Sequence, residues 1–260
     1  PIISFLLQGG RCRSCGVRFS PQYALVELST GILFLFIFFS RFKGSLLSIA
    51  EIFLLWAIFS TLVVIFVYDL RHKIIPDGLA YAFAGLSLIF SLMVYFLKSG
   101  GIDLYALFLG IIAGPLLFLP FFLLWFFSKG TMMGLGDGKL ALGMGWFLGI
   151  SGGIAALILS FWLGTALVVF LFFLRLALEK LQKSMDGGRN RFFLGLSGFT
   201  MKSEVPFAPF LILGTAVIFF CGSHFLLSLF GFSFAYMILH YPKQNIPIPK
   251  RRSTPAELMV

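Results

Sequence analysis

The chain has 260 residues, 59% of them hydrophobic and only 12% charged, with 35 phenylalanines and a mean hydropathy of +1.01. These proportions exclude a soluble domain and imply a multi-pass membrane protein. The net charge of +10 does not point to nucleic acid, because the lysines and arginines lie in short links between apolar runs, where the positive-inside bias expects them.

Lipid offers no partner to backbone polar groups, so apolar runs of about 20 residues must cross as helices. Before the first run, residues 1–24 read as a cytosolic segment with one Cys-x-x-Cys pair, Cys12 and Cys15. Three cysteines, counting Cys221, make no disulfide framework, and Cys221 reads as a small packing residue. About seven spans follow: Leu25 to Phe42, Leu46 to Tyr68, Leu79 to Leu97, Leu104 to Phe127, Leu140 to Ile150, Ile154 to Leu174 and Phe207 to Phe230. The fifth is short and carries Gly143, Gly145 and Gly149, so it is expected to pack against other helices rather than lipid. Residues 25–230 thus form one all-α, polytopic transmembrane bundle, and residues 231–260 form a polar, proline-containing tail.

Arginine and lysine set the orientation. With the N-terminus in the cytoplasm, Arg11, Arg71, Lys73, Lys129, Lys139, Arg175, Lys180 and Arg189 among others fall inside, and only Arg41, Lys43 and Lys98 fall in outer loops. The tail, with Lys250, Arg251 and Arg252, lands outside and runs against this count.

Two acids stand out on that topology. An ionised Asp deep in a bilayer costs about 2.5 to 3.5 kcal/mol, which makes it a functional-site hypothesis. Asp69 ends the second span in "IFVYDLRHKIIPDG", and Asp137 opens the fifth in "GLGDGKL". Both lie on the cytoplasmic side at similar depth, on helices that a bundle can bring together. Paired carboxylates suit peptide hydrolysis: one takes a proton from water as it attacks the carbonyl, and its protonated partner hydrogen-bonds that carbonyl. Close carboxylates share a proton. Helix dipoles favour Asp137 as the carboxylate and Asp69 as the acid. Gly134 and Gly136 are expected to shape the site through unusual backbone angles and close helix approach. A lone acid at a helix end is otherwise a cap, and Asp77 before "GLAY" reads as one. Glu51 and Asp103 fall at the outer interface, and His224 is isolated in an apolar span.

These residues resemble the type IV prepilin peptidases, intramembrane aspartic proteases of the Gly-x-Gly-Asp type. The resemblance rests on Asp69 with "IIPD" at Ile74 to Asp77, on "GLGDGKL" at Gly134 to Leu140, and on "EVPFAPFLILG" at Glu204 to Gly214. It implies that Asp69 and Asp137 are the catalytic aspartates, with Gly134, Gly136, Lys139, Pro206 and Pro209 shaping the site. It also implies cleavage of the basic leader of prepilins or pseudopilins, after a glycine, at the cytoplasmic face of the bacterial inner membrane. Proteolysis then needs no cofactor. Larger members of the family carry two Cys-x-x-Cys pairs that bind zinc, and methylate the new N-terminus with S-adenosylmethionine. Only Cys12 and Cys15 are present here, short of the four ligands that structural zinc needs. Either an earlier pair and an opening helix precede Pro1 in a longer chain, which "PIISFLLQGGRC" favours, or the site is degenerate. Glu27 in "YALVEL" also matches a family position. A presenilin or signal-peptide-peptidase type protease is the neighbouring alternative, but no Pro-Ala-Leu tripeptide occurs. A proton-coupled transporter is the alternative from another class, and no internal repeat supports it.

Overall fold

The computed structural model describes residues 2–11, 14–18, 20–98, 103–131, 134–184 and 206–222. Cys12, His224, Glu204 and the tail 231–260 lie outside the described residues. All the described elements are helices: α1 (Ile2–Leu7), α2 (Pro21–Arg41), α3 (Leu46–His72), α4 (Asp77–Lys98), α5 (Leu104–Ser128), α6 (Leu135–Ser184) and α7 (Ala208–Cys221). A single antiparallel bridge joins Arg11 and Arg18 in the segment before α2. Among the described residues, five helical stretches are long and apolar enough to cross a membrane: Pro21–Arg41, Leu46–His72, Asp77–Leu97, Leu104–Ser128 and Leu135–Ala177. The chain is therefore a multi-pass, all-α membrane protein.

Helix starts follow local chemistry. Ser20 caps α2 by accepting the Gln22 N–H, with Pro21 in the first turn where no donor is needed. Ser45 and Ser48 cap α3 reciprocally. Asp103, expected at an interface, caps α5 by accepting the N–H groups of Tyr105 and Ala106 at 3.0 and 3.4 Å. Glu51, also expected at an interface, pairs with Arg41 at 3.2 Å. Both lie at the end of the bundle opposite Asp69. Asp77 differs from its expected role as a cap. It is the first residue of α4, the Pro76 carbonyl accepts the Leu79 and Ala80 N–H groups, and the Asp77 carboxylate is bound by Lys139 instead.

The predicted fifth and sixth spans are two halves of α6, joined at Gly149 with φ 74° and ψ −179°. Before that break, Gly138 lies on Phe118 and Phe121, and Gly145 on Ala113, so the first half runs antiparallel to α5. After it, Gly153 lies on Leu117, Gly152 near Ile218, Gly164 near Phe210, and Ser160 against Gly214. The second half therefore doubles back beside α5 and runs antiparallel to α7. A residue with a side chain is strained at Gly149 even though the surrounding space is open. Gly149→Ala is expected to destabilise the protein by about 1 to 3 kcal/mol, seen as a lower midpoint of thermal unfolding in detergent. An unchanged midpoint would mean that the chain reverses here without needing this backbone geometry.

Without a hydrophobic drive between helices in lipid, close packing by small residues has to hold them. Gly143 faces the Phe83 ring, and a Cβ at Gly114 would stand 2.6 Å from the Trp146 indole. The first half of α6 is thereby wedged between α4 and α5, as its glycines lead one to expect. At its far end Phe147 meets Phe59 of α3, Phe90 of α4 and Phe219 of α7, with ring centroids 5.9, 5.3 and 4.9 Å away. Polar ring atoms in this apolar setting find carbonyls: Trp56 donates to Phe34 and Trp146 to Ile111, at 3.2 and 2.8 Å. Cys221, expected to pack inside, is exposed at the last turn of α7, because α7 ends there and turns through Gly222 at φ 80°.

Candidate active site

Asp69 lies in the last turn of α3, where its carbonyl accepts the Lys73 N–H at 2.8 Å and Lys73 closes the helix in the left-handed conformation. Ile74, Ile75 and Pro76 then lead directly into α4. This tight link keeps the end of α3 and the start of α4 at one end of the bundle. The Asp69 residue is 4% exposed, and its Oδ2 is buried without a hydrogen-bond partner. Leaving a buried carboxyl oxygen without a partner is costly.

The start of α6 comes to the same end. Asp137 stands in its first turn, half-buried, within electrostatic range of Asp69. No Cα atom of α3 lies within 8 Å of one of α6, so any approach of the two acids is made by side chains. Gly136 permits that approach: a Cβ there would stand 3.1 Å from the Ile75 Cβ. Gly134 is exposed with open space around it, and neither glycine has positive φ. The expected unusual backbone angles are therefore absent, and close approach applies at Gly136 only. The reason is that residues from Leu135 onward are already helical.

Lys139, in the same first turn, donates to Asp77 Oδ1 at 2.6 Å, with its ammonium 5.0 Å from the centroid of the Tyr81 ring. Sequence reasoning missed this partnership of α4 with α6. The available signal was the spacing of Asp77 and Tyr81, four residues apart on one helix face. Pro206 and Pro209 stand at the start of α7, where Phe207 meets Phe161 and Phe210 lies near Gly164, in the second half of α6.

On the other side of α3 an open groove of about 500 Å³ separates it from α2. Val26, Val63 and Val67 line its body, Glu27 lies in its wall, and Arg71 stands at its mouth. Arg71 donates twice to Gln22, at 2.8 and 3.1 Å, and stacks on Tyr23. These bonds tie the start of α2 to the end of α3.

For zinc, the described residues offer Cys15, which is exposed and free, and no group of three or more possible ligands. Cys12 lies outside the described residues. The described residues do not make up a closed tetrahedral site.

Residues 1–41 match the model of the bacterial peptidase A24 N-terminal domain, and residues 56–169 match that of the type IV leader peptidase family. Among curated relatives, the chain is similar to the prepilin leader peptidase/N-methyltransferase of Neisseria gonorrhoeae, 34% identical over 152 residues that make up 58% of this chain and 50% of the relative. It is also similar to the protein of that name from Klebsiella pneumoniae, 31% identical over 57% of this chain and 61% of the relative. A third, from Dichelobacter nodosus, is 27% identical over 89% of this chain and 68% of the relative. No solved structure matches. The chain spans between half and about three fifths of the length of the first two relatives. The two matched stretches carry α2 with its capped start and the whole of the Asp69–Asp137 constellation, and the chain belongs to the type IV leader peptidase family.

Proposed function

We infer that this protein is an intramembrane aspartic endopeptidase that removes the basic leader of type IV prepilins or pseudopilins at the cytoplasmic face of the inner membrane. The observation that carries this reading is the pair itself. Two acids from separate helices share one end of the bundle within electrostatic range, and one of them holds a buried oxygen with no hydrogen-bond partner. The family match supports the class of substrate.

In the reaction, a water between the carboxyl groups loses a proton to the ionised member, and its oxygen bonds to the scissile carbonyl carbon. The protonated member hydrogen-bonds the carbonyl oxygen as it gains charge. The carbon–nitrogen bond then breaks as the amide nitrogen takes up a proton, which leaves a carboxylic acid on the leader and a free amine on the mature chain. The helix-dipole argument gives the base's part to Asp137. Neither step needs a cofactor. Burial of the pair in an apolar bundle strengthens both interactions relative to water.

The relatives' shared name, prepilin leader peptidase/N-methyltransferase, supports a companion activity, methylation of the new amine, for which the family resemblance implies S-adenosylmethionine as donor. Zinc belongs to that region by family resemblance only.

The test is cleavage of a purified prepilin by the full chain in detergent micelles, read by mass spectrometry of the product's N-terminus. A product shortened by its leader, with the cut after glycine, is expected. An intact prepilin after prolonged incubation with folded protein sinks the reading.

A further inference from the structure

We propose that Asp77, Lys139 and Tyr81 form a latch that fixes the first turn of α6 against the start of α4, and so sets the position of Asp137 relative to Asp69. The proposal rests on the reading of Asp69 and Asp137 as a working pair, and makes Asp77 and Lys139 positioning residues.

The argument starts from the gap. Because the backbones of α3 and α6 stay more than 8 Å apart, the distance between the carboxyl groups depends on where the first turn of α6 is held. The glycines of that turn pack on apolar groups: Gly136 on Ile75, and Gly138 on Phe118 and Phe121. Such packing sets how closely the helices approach but includes no directional bond that orients the turn. The Lys139–Asp77 bond is directional and short, at 2.6 Å, and Lys139 lies two residues from Asp137. Asp77 and Tyr81 present a carboxylate and a ring face to one ammonium, so its direction is set by two groups of α4. The Lys139 side chain is 13% exposed and that of Asp77 68%. A pair with one partner this exposed adds little to global stability. Its effect is on placement, and α4 in turn is tied to Asp69 through the three-residue link Ile74–Pro76.

Asp77→Asn, Lys139→Met and the swapped pair Asp77→Lys with Lys139→Asp test this in the full chain. Each single change is expected to lower kcat on prepilin about a hundredfold, the loss that a misplacement near 1 Å can cause, with KM within about threefold of the original. The swap is expected to recover at least tenfold over the weaker single variant. Asp77 is exposed, so Asp77→Asn leaves folding intact. A kcat for it within tenfold of the unaltered protein, or a swap no better than the singles, overturns the latch.

A second measurement is independent of cleavage. Spin labels at Gly78→Cys and Gly134→Cys, both in open space, are placed in a background with Cys12, Cys15 and Cys221 changed to Ser. A narrow distance distribution that broadens on Asp77→Asn is expected; an unchanged one overturns the proposal. If the unaltered protein fails to cleave prepilin, the proposed function fails, and the label distances still decide the latch.

Discussion

Asn in place of either Asp69 or Asp137 is expected to lower leader cleavage by about a hundredfold to ten-thousandfold, the usual contribution of a positioned acid or base. The change is close to isosteric, so shape is kept while the ability to take or give a proton is lost. The effect is expected to be non-additive: removing the second carboxyl after the first costs little more, because the two act as a unit. Asp69→Asn is the sharper case. Its side chain sits where Oδ2 has no hydrogen-bond partner, so the group contributes no bond to the fold that the amide would break. The measurement is product formation by the single and double variants, alongside gel filtration to confirm that each is folded. More than a tenth of normal cleavage by either folded single variant would remove the dyad from the mechanism.

Gly145→Ala is expected to destabilise the protein by about 1 to 3 kcal/mol, the range for overpacking a well-filled interface. Two effects of opposite sign compete at this position. Alanine is favoured over glycine inside a helix by about 1 kcal/mol. Against that, the added methyl would overlap the carbonyl oxygen of Ala113 and crowd Gly114 Cα at 2.8 Å. These are backbone atoms, which cannot swing aside as a side-chain end can, so overlap outweighs propensity. Gly85 on α4 is the control, since a Cβ there meets nothing within 4 Å, and Gly85→Ala is expected to be neutral or stabilising. Thermal unfolding in one detergent compares the two. Equal midpoints for both variants would show that α5 and α6 separate at no cost. Because α6 carries Asp137, loss of cleavage by Gly145→Ala is expected to track loss of the folded form.

That this is a helical membrane protein was legible in the sequence. Apolar runs of about 20 residues are the length of a spanning helix, which bonds every backbone group within itself. The caps Ser20, Ser45 and Asp103 act within three residues of themselves, so their signal was local, although only Asp77 read as a cap in the sequence. Asp69 and Asp137 could be singled out because a carboxylate stands out in an apolar run, and the expectation that they share one end of the bundle came from counting spans. What those residues meet was not legible in the sequence and comes from the folded bundle. Asp77 read as a cap, and its partner Lys139 lies 62 positions away. The fifth and sixth runs read as separate spans and are two helices broken at Gly149, but the direction in which the second leaves is set by contacts with α5 and α7. Gly136 read as a source of backbone freedom and of close approach; only the second holds, and that Ile75 is what comes close was not legible. In each case the missing information was a non-local contact: hydropathy and capping act along the chain, while packing depends on which faces the folded bundle sets against each other.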